Sequence, residues 1–323
     1  MTWKKPPAIL VKSEEETDPH YGCSPTERPI EEHLRKAIVN IDKPAGPTSH
    51  QVTSWVRQIF DFTKTGHSGT LDPNVTGVLP IALEKSTRML QALLLSSKEY
   101  VCLMKLHDDA STSEVKKILS YFQGELYQKP PLKSAVKRQL RTRNVYSIQF
   151  IEREGQYVLY RVESEAGTYI RKLCHDMGLL LGVGAHMQQL RRTKAGPFTE
   201  ESIISMHDLK DAYQIYLDEG EEKHIRDITH PMEAGIQHLP KIWVKDSAVS
   251  AICHGASLKA PGIAKMTDDL IKGSHVALLT LKDELIALSH SQKSSEELMS
   301  SKKGEATTPY SVLMEPELYP RKW

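Results

Sequence analysis

The sequence has few cysteines, and none of them is placed to form a metal or redox site. Its 323 residues include only Cys23, Cys102, Cys174 and Cys253. A zinc finger or a CxxC redox motif needs its ligands or thiols a few residues apart, so this spacing excludes both kinds of site. Thiols scattered in this way are typical of reduced, mostly buried cysteines in a cytosolic protein.

The sequence also lacks a long apolar run and an excess of charge of either sign. Its longest apolar stretch lies around residues 89–95, whereas a membrane helix needs about 20 such residues. The first residues contain no apolar signal-peptide core, so we expect a soluble, cytoplasmic protein. The 42 Lys and Arg against 41 Asp and Glu exclude a histone-like polycation and an acidic tail protein. They do not exclude a nucleic-acid enzyme, because binding to a nucleic acid depends on the local distribution of charge.

Length and pattern divide the chain into an N-terminal extension and two domains. A chain of 323 residues suggests about two domains. Residues 1–36 are rich in proline and acidic side chains, which favours a solvated arm over a strand packed on the C-terminal barrel. Residues 37–238 mix helical and hairpin patterns, which indicates an α+β domain with a mixed, largely antiparallel sheet. Residues 239–323 carry short strands and glycine turns typical of a small β-barrel, with a surface loop expected at 291–309.

Several local elements can be predicted from short-range signals. Thr48 or Ser49 can cap a helix, and Ser111 with Glu114 forms a capping box before a second one. A β-hairpin is expected around Glu154–Gly155. Apolar spacing predicts further helical faces, and the first of these consists of Val52, Trp55, Val56, Ile59 and Phe60.

An aspartate stands out in a loop that is rich in glycine. Asp72 precedes Pro73 within residues 66–80, where glycines on both sides allow tight bends. Such a loop can hold one carboxylate forward into a cleft. An isolated Asp-Pro pair is more often an ordinary turn, so the assignment depends on the motifs around it.

Those motifs, in their order along the chain, resemble the TruB/dyskerin family of pseudouridine synthases. The resemblance rests on Lys43–Ser49, Gly69–Pro73, Lys98–Tyr100, Gly167–Arg171 and Leu190–Arg192. Within the family the sequence is most similar to the archaeal relatives of dyskerin, which are catalytic subunits of box H/ACA ribonucleoproteins. That distinction rests on Pro130–Arg138, Ile252–Ala256 and Tyr319–Trp323.

The resemblance implies a pseudouridine synthase fold, followed by a C-terminal PUA domain, and an enzyme that isomerises uridines in RNA. The enzyme must take the uridine out of its stack, and the Asp72 carboxylate would be the nucleophile. We expect this carboxylate to be buried and Arg171 to pair with it. The family needs no metal or organic cofactor, and we expect none here.

The same resemblance assigns the remaining pocket residues. Tyr100 would stack on the flipped uracil, and Tyr169 would line the pocket near the proton that leaves C5. Leu190 would pack under the base. His67 would contact the RNA backbone or fill the space of the flipped nucleotide, and Lys43 is expected to be structural.

Basic residues indicate where RNA binds. A stretch without acidic residues contains Lys129, Lys133, Lys137, Arg138, Arg141 and Arg143, which is typical of a phosphate-binding surface, although a solvated basic loop is the alternative. Arg191, Arg192 and Lys194 suggest a second patch. In the barrel, candidates for holding the trinucleotide tail of a guide RNA are His254, Gly255, Ala256, Lys259 and Gly262.

The family also implies partners, and other functions remain to be compared with the main hypothesis. The partners are H/ACA guide RNA, rRNA and tRNA, with a small zinc-ribbon protein, a glycine/arginine-rich protein and a kink-turn-binding protein. A stand-alone enzyme acting on the TΨC-loop uridine (position 55) of tRNA is a second hypothesis. A non-catalytic RNA scaffold is a third, against which the intact catalytic motifs argue.

Overall fold

The computed structural model describes residues 6–129 and 139–320. The strands in these residues are β1 (Ile9–Val11), β2 (Ala37–Lys43), β3 (Thr65–His67), β4 (Thr76–Leu83), β5 (Lys98–Leu106), β6 (Gly124–Gln128), β7 (Arg141–Glu154), β8 (Tyr157–Ser164), β9 (Ala185–Ala195), β10 (Phe198–Thr199), β11 (His230–Pro231), β12 (Lys241–Val244), β13 (Leu258–Lys259), β14 (Ile263–Thr267), β15 (His275–Leu279), β16 (Leu285–Ser291) and β17 (Glu305–Val312). The α-helices are α1 (Ile30–Arg35), α2 (Ser49–Phe60), α3 (Leu90–Leu95), α4 (Thr112–Tyr121), α5 (Ile170–Leu181), α6 (Met206–Glu219), α7 (Lys223–Ile228), α8 (Asp246–Cys253) and α9 (Ser295–Ser300). Within the two described ranges, no helix is long and apolar enough to cross a membrane.

The larger sheet has ten strands in the described residues. Its order is β11-β2-β4-β9-β5-β8-β7-β6, with β3 paired to β4 and β10 paired to β9. The described pairings are antiparallel except that of β4 with β9. The expected α+β architecture with a largely antiparallel sheet is therefore confirmed.

The helices that flank this sheet begin where the short-range signals placed them. Thr48 and Gln51 form a complete capping box at α2, and Ser111 and Glu114 form another at α4. The β7–β8 hairpin turns at Gly155, which has a φ of +55°.

Trp55 was expected on the buried face of α2, but it is 42% exposed. Thr53 occupies the buried position instead, because its hydroxyl donates to the Ser49 carbonyl and is thereby satisfied.

The smaller sheet combines the C-terminal strands with a strand from the N-terminus. Its order in the described residues is β1-β14-β12-β15-β16-β17-β13. The expectation of a solvated N-terminal arm is wrong, because β1 pairs antiparallel with β14 and Leu10 packs on the apolar core of this sheet. Lys12 adds a further anchor, since its ammonium donates to carbonyls at the end of α9, where the helix dipole favours a cation.

The segment expected as a surface loop, residues 291–309, is also ordered. It contains α9 and most of β17, and it buries Leu298 and Ala306 completely. These two apolar residues are isolated in a polar sequence, so the segment shows no periodic pattern. Its order comes from packing against the core of the smaller sheet.

The two sheets share one apolar core, which joins them at a continuous junction. The residues from the larger sheet and its helices include Ile38, Val78, Met89, Leu93 and Phe198, and those from the smaller sheet include Trp243, Ala277, Leu279, Leu285 and Leu288. A buried ion pair crosses the same junction. Arg28 is 1% exposed and binds Glu233 through two hydrogen bonds of 2.9 and 2.7 Å. Glu233 also accepts a hydrogen bond from the Leu285 backbone N–H (2.9 Å).

We predict that the buried His33 makes the protein less stable in mild acid. Burial, followed by the charges of Arg226 and Arg28, lowers the pKa of His33 from 6.5 to about 4. Its Nε2 donates to the Thr229 hydroxyl, which itself donates to the Ile225 carbonyl. Between pH 6.5 and 4 the unfolded chain binds a proton at His33 that the folded chain does not bind. As the pH is lowered from 6.5 to 4, the free energy of unfolding should therefore decrease, by up to about 1.4 kcal/mol per pH unit.

Urea denaturation at pH 7 and at pH 5 would measure this effect. In His33→Gln the loss of stability between the two pH values should be smaller than in the wild type. His224→Gln changes a half-exposed histidine and should retain the wild-type dependence. An equal pH dependence in the wild type and His33→Gln would contradict the prediction.

Candidate active site

The loop that carries Asp72 is held by side chains on both sides of the aspartate. The loop connects β3 to β4. Before Asp72, the Ser49 hydroxyl accepts from the Leu71 N–H (2.8 Å) and lies 3.2 Å from the Leu71 carbonyl oxygen. After it, Lys43 donates to the carbonyl oxygens of Pro73 (2.8 Å) and Val75 (2.9 Å). These hydrogen bonds hold the backbone on both sides of Asp72 and do not involve its carboxylate, which is half exposed.

Lys43 is fully buried, which supports the structural role expected for it. Its ammonium also donates to the Pro44 carbonyl (2.8 Å), so each of its three N–H groups has a carbonyl acceptor. Burial lowers the pKa of Lys43, and the nearby charge of Asp72 opposes that shift. The lysine thus places a positive charge behind the aspartate loop.

The sheet brings the distant motifs together. Strand β9 runs between β4 and β5, so that Arg192 is opposite Gly77 on one side and Tyr100 on the other. Gly77 has a φ of +101°, and a Cβ at this position would collide with the Arg192 backbone. Leu190 is opposite Cys102 on β5 and is half-buried. The motifs that contain Tyr100 and Leu190, 90 positions apart in sequence, therefore lie on neighbouring strands, and β4, which follows the Asp72 loop, lies on the other side of β9.

Arg171, in the first turn of α5, forms an ion pair with Asp72. The guanidinium side chain is 59% exposed and the carboxylate side chain is 53% exposed. The expectation of a buried Asp72 is therefore wrong for the chain by itself, because the loop and α5 meet at the surface. A molecule bound over this pair would remove the water and strengthen the electrostatic interaction.

Arg192 is buried (1% exposed) and does not belong to a basic surface patch. It donates from Nε to the Val78 carbonyl (2.7 Å) and from its terminal nitrogens to the Gly69 carbonyl (3.3 Å). Burial lowers the pKa of Arg192, and its electrostatic interaction with the nearby Tyr100 hydroxyl opposes this shift. One guanidinium therefore bonds to the backbone at both ends of the aspartate loop, and Arg192 lies opposite Tyr100 on the neighbouring strand.

The second basic patch expected on β9 is not found, because its other members are also paired. Arg191 binds both oxygens of Asp42 (3.0 and 3.1 Å) and also pairs with Glu200. Lys194 lies 3.3 Å from Glu163. Sequence reasoning assigned these cations to RNA because their partners lie on other segments of the fold.

His67 lies at the start of the loop and is neutral at physiological pH. Its ring packs edge-on against that of His50, with centroids 4.8 Å apart. Burial, followed by the charges of His50 and Arg192, lowers the pKa of His67 to about 4. Nδ1 accepts from the Gly69 N–H (3.3 Å), so the ring proton is on Nε2. His67 can therefore donate one hydrogen bond from Nε2.

Tyr169 is half-buried and is the residue immediately before α5. Its backbone N–H and carbonyl are both bonded to the side chain of Gln128. Sequence reasoning did not assign a role in the site to Gln128 or Ser49. For Ser49 a signal existed, because it ends the Lys43–Ser49 motif. For Gln128 the only signal was its position just before the Pro130–Arg138 motif.

The basic stretch between β6 and β7 is described only in part. Lys129 is exposed, whereas Arg141 and Arg143 are half-buried on β7. Arg143 lies 3.5 Å from Glu165 and next to Gly167, in the turn that leads to α5. The other candidates, Lys133, Lys137 and Arg138, lie outside the described residues.

Most candidates in the smaller sheet lie in one exposed segment that follows α8. His254, Gly255, Ala256 and Lys259 are exposed, and Lys259 lies 3.5 Å from Glu305. Gly255 has a φ of +88° and open space where a Cβ would be. Gly262 differs, since a Cβ there would contact Leu258 and Ala248. Its lack of a side chain serves internal packing, and its expected contact with RNA bases stays a prediction.

No group of three or more His, Cys, Asp or Glu side chains in the described part of the chain is arranged to hold a metal ion. The functional groups of the site are the exposed carboxylate of Asp72, the guanidinium of Arg171, the rings of Tyr100 and Tyr169, and the neutral imidazole of His67. This set can provide a nucleophile, stabilise negative charge and stack on a planar ring.

Four protein-family models match successive stretches of the chain. Residues 57–170 match the TruB family pseudouridylate synthase N-terminal domain, and residues 171–237 match the tRNA pseudouridylate synthase B C-terminal domain. Residues 3–53 match the DKCLD (NUC011) domain, and residues 240–313 match the PUA domain.

The chain is also similar to known proteins over 98% of its length. The chain is 52% identical to a probable tRNA pseudouridine synthase B of Methanopyrus kandleri, with 98% of this chain and 93% of the relative covered. It is 53% identical to the protein of that name from Archaeoglobus fulgidus, with 98% and 97% covered. The described fold is similar to a chain in the crystal structure of a Cbf5-Nop10-Gar1 complex (TM-score 0.93, 51% identity, 97% and 96% covered). It is also similar to a chain in the structure of an H/ACA RNP bound to a substrate RNA containing 2′-deoxyuridine (TM-score 0.92, 48% identity, 98% of each chain covered).

Proposed function

Because the chain belongs to the TruB family of pseudouridine synthases, we propose that it acts in the cytoplasm as the catalytic subunit of an H/ACA guide-RNA particle, with Asp72 as its nucleophile. The predicted pseudouridine synthase fold with a C-terminal PUA domain is confirmed by the family matches. The observation that supports the catalytic assignment best is the Asp72–Arg171 ion pair, where the aspartate loop meets α5.

The geometry suits a reaction in which a uracil is detached, turned and rejoined. The Asp72 carboxylate would add to the sugar or to the base, and the C1′–N1 bond would break with its electron pair staying on N1. After the ring turns, C5 would bond to C1′ and the carboxylate would be released. A base would take the C5 proton, and N1 would gain a proton, so that the product is an isomer of the substrate. Arg171 would aim the carboxylate and limit the cost of covering it. Tyr100, opposite Arg192 on the neighbouring strand, would stack on the ring while it turns.

We propose three sets of roles for the remaining candidates. Tyr169 and Leu190 would line the uracil pocket, and His67 would contact the RNA near the flipped nucleotide. Lys129, Arg141 and Arg143 would bind RNA phosphates, together with Lys133, Lys137 and Arg138. The exposed segment His254–Lys259 would hold the trinucleotide tail of the guide RNA.

The proposed particle contains partners as well as RNA. The similar structures are named as a Cbf5-Nop10-Gar1 complex and as an H/ACA RNP with substrate RNA. We propose that this chain assembles likewise with a small zinc-ribbon protein, a glycine/arginine-rich protein and a kink-turn-binding protein. Its substrate would then be rRNA selected by guide pairing.

A second candidate function is guide-independent action on tRNA. The curated relatives are named probable tRNA pseudouridine synthase B, which favours the TΨC-loop uridine at position 55 as a substrate. The two functions use the same catalytic residues and differ in how the RNA is presented.

Tritium release from [5-³H]uridine RNA would separate the two, because the C5 hydrogen leaves when C5 bonds to C1′. An rRNA fragment should react only with guide RNA and the partner proteins present. Tritium release from a tRNA transcript without guide would show the stand-alone activity. No release from the rRNA fragment with the complete particle would contradict the proposed guide-dependent function.

We predict that Tyr100→Ala lowers the rate more than the affinity for RNA. Base–aromatic stacking contributes roughly 1–3 kcal/mol, which corresponds to about 5- to 150-fold in rate, whereas phosphate contacts dominate binding. Tyr100→Phe keeps the ring and should retain most of the rate. Equal losses of rate and affinity in Tyr100→Ala would instead indicate that Tyr100 helps to dock the RNA.

Point variants can test whether the smaller sheet binds the trinucleotide tail of the guide RNA. Removing residues 240–323 would strip Trp243, Leu279 and Leu288 from the core that both sheets share, so the remaining chain would expose apolar surface. The double variant His254→Ala/Lys259→Ala should weaken the binding of guide RNA with its trinucleotide tail more than that of guide RNA without it. Lys302→Ala changes an exposed lysine of the same domain and should bind both RNAs as the wild type does. Equal affinities of the double variant and the wild type would exclude this segment as the anchor.

A further inference from the structure

The side-chain amide of Gln128 is bonded at both ends to the backbone of a single residue, Tyr169. Gln128 is the last residue of β6 and is only 3% exposed. Its Oε1 accepts from the Tyr169 N–H (2.9 Å), and its Nε2 donates to the Tyr169 carbonyl oxygen (3.3 Å). The planar amide therefore offers Tyr169 one acceptor and one donor, as a neighbouring β-strand would.

Helix α5 depends on such support because it begins without a side-chain cap. Tyr169 is its N-cap residue, and no side chain caps the first turn. The turn before it is closed locally, with the Thr168 hydroxyl bonded to the Glu165 carbonyl (2.8 Å) and Gly167 at a φ of +80°. The Tyr169 N–H precedes the helix and cannot be satisfied by a bond within it. The Tyr169 carbonyl does have a partner within the helix, because it accepts from the Leu173 N–H (3.0 Å) as well as from Gln128.

The start of α5 determines where two proposed active-site groups point. Tyr169 precedes the helix and Arg171 is its second residue. Successive residues of an α-helix are turned by about 100° and rise 1.5 Å. A small change in the first turn would therefore move the Arg171 guanidinium away from Asp72, with which it pairs.

We propose that Gln128 is a positioning residue for pseudouridine formation. It fixes the backbone of Tyr169 and thereby the first turn of α5, which orients Tyr169 and Arg171 relative to Asp72. Its role is exerted through the peptide groups of Tyr169. This inference rests on the proposed function, in which Asp72, Tyr169 and Arg171 act on the uridine.

The test compares Gln128→Met with the wild type in the assembled particle. Methionine has a similar length but neither donates nor accepts a strong hydrogen bond, so the packing volume is largely kept. We expect the single-turnover rate constant at saturating RNA to fall about 10- to 100-fold, which corresponds to losing one or two buried hydrogen bonds. The affinity for RNA should change less than about threefold. Glu125→Ala, an exposed position on the same strand, should leave both quantities unchanged.

Several outcomes would overturn the proposal. A wild-type rate in Gln128→Met would do so, even if its melting temperature were lower, because the role would then be structural only. An equal loss of rate and affinity would assign Gln128 to RNA binding. If Gln128→Met does not fold, Gln128→Glu keeps the acceptor for the Tyr169 N–H and loses the donor, and its rate should still be reduced. An inactive wild type would count against the proposed function, whereas an active wild type with equally active variants would count only against this inference.

Discussion

Replacing Asp72 with asparagine is expected to abolish pseudouridine formation, with a rate loss on the order of 10⁴-fold or more. The amide is nearly the same size but is a poor nucleophile, so no covalent intermediate can form. The fold should be retained, because the Asp72 side chain is 53% exposed and the loop is held by Lys43 and Ser49 rather than by the carboxylate. Affinity for RNA should remain within a few-fold of the wild type.

The measurement is tritium release under single-turnover conditions, with RNA affinity and melting temperature determined on the same preparation. Asp109→Asn is a matched control, since Asp109 is an exposed aspartate paired with Arg153 at a different end of the sheet. That variant should be as active as the wild type. Pseudouridine formed by a sequence-verified Asp72→Asn protein would rule out Asp72 as the nucleophile.

Replacing Arg28 with alanine is expected to lower the free energy of unfolding by about 3–5 kcal/mol. Arg28 is 1% exposed and holds Glu233 through two hydrogen bonds. Its removal would leave the Glu233 carboxylate, which is 11% exposed, without its cation. Glu233 also bonds to the Leu285 N–H, so the change should loosen the contact between the two sheets.

Urea denaturation at pH 7 would measure this loss. The control is Lys223→Ala, which breaks an exposed ion pair with Asp227 and should cost less than about 0.5 kcal/mol. A loss of similar size in both variants would show that the Arg28–Glu233 pair contributes no more than a surface pair. At a temperature where Arg28→Ala is fully folded, its rate of pseudouridine formation should be close to that of the wild type.

Much of the catalytic domain could be predicted from the sequence, because its signals lie within a few residues of each other. The helix caps at Thr48 and Ser111 and the turn at Gly155 are all local, and the structure shows each of them. The sequence also indicated a loop with Asp72 at its tip. The family motifs then predicted that Asp72 and Arg171 would meet, and they form an ion pair in the structure.

The sequence did not predict features that depend on a partner far along the chain. The segment 291–309 looks polar and irregular, and the apolar strand β1 lies in an extension rich in proline and acidic residues. Both are ordered because Leu10, Leu298 and Ala306 pack on the core of the smaller sheet. Arg191, Arg192 and Lys194 resemble a basic patch until strand pairing places Asp42, the loop carbonyls and Glu163 beside them.

The sequence by itself therefore determined which residues can perform the chemistry, since the identity of a nucleophile, a cation or an aromatic ring is a property of the residue. The tertiary structure decided the surroundings of these groups. It left the Asp72–Arg171 pair half exposed, buried Arg192 against the loop and bonded Gln128 to Tyr169, 41 positions away. Burial and hydrogen bonding depend on which segments lie side by side, and packing sets that arrangement over the whole chain.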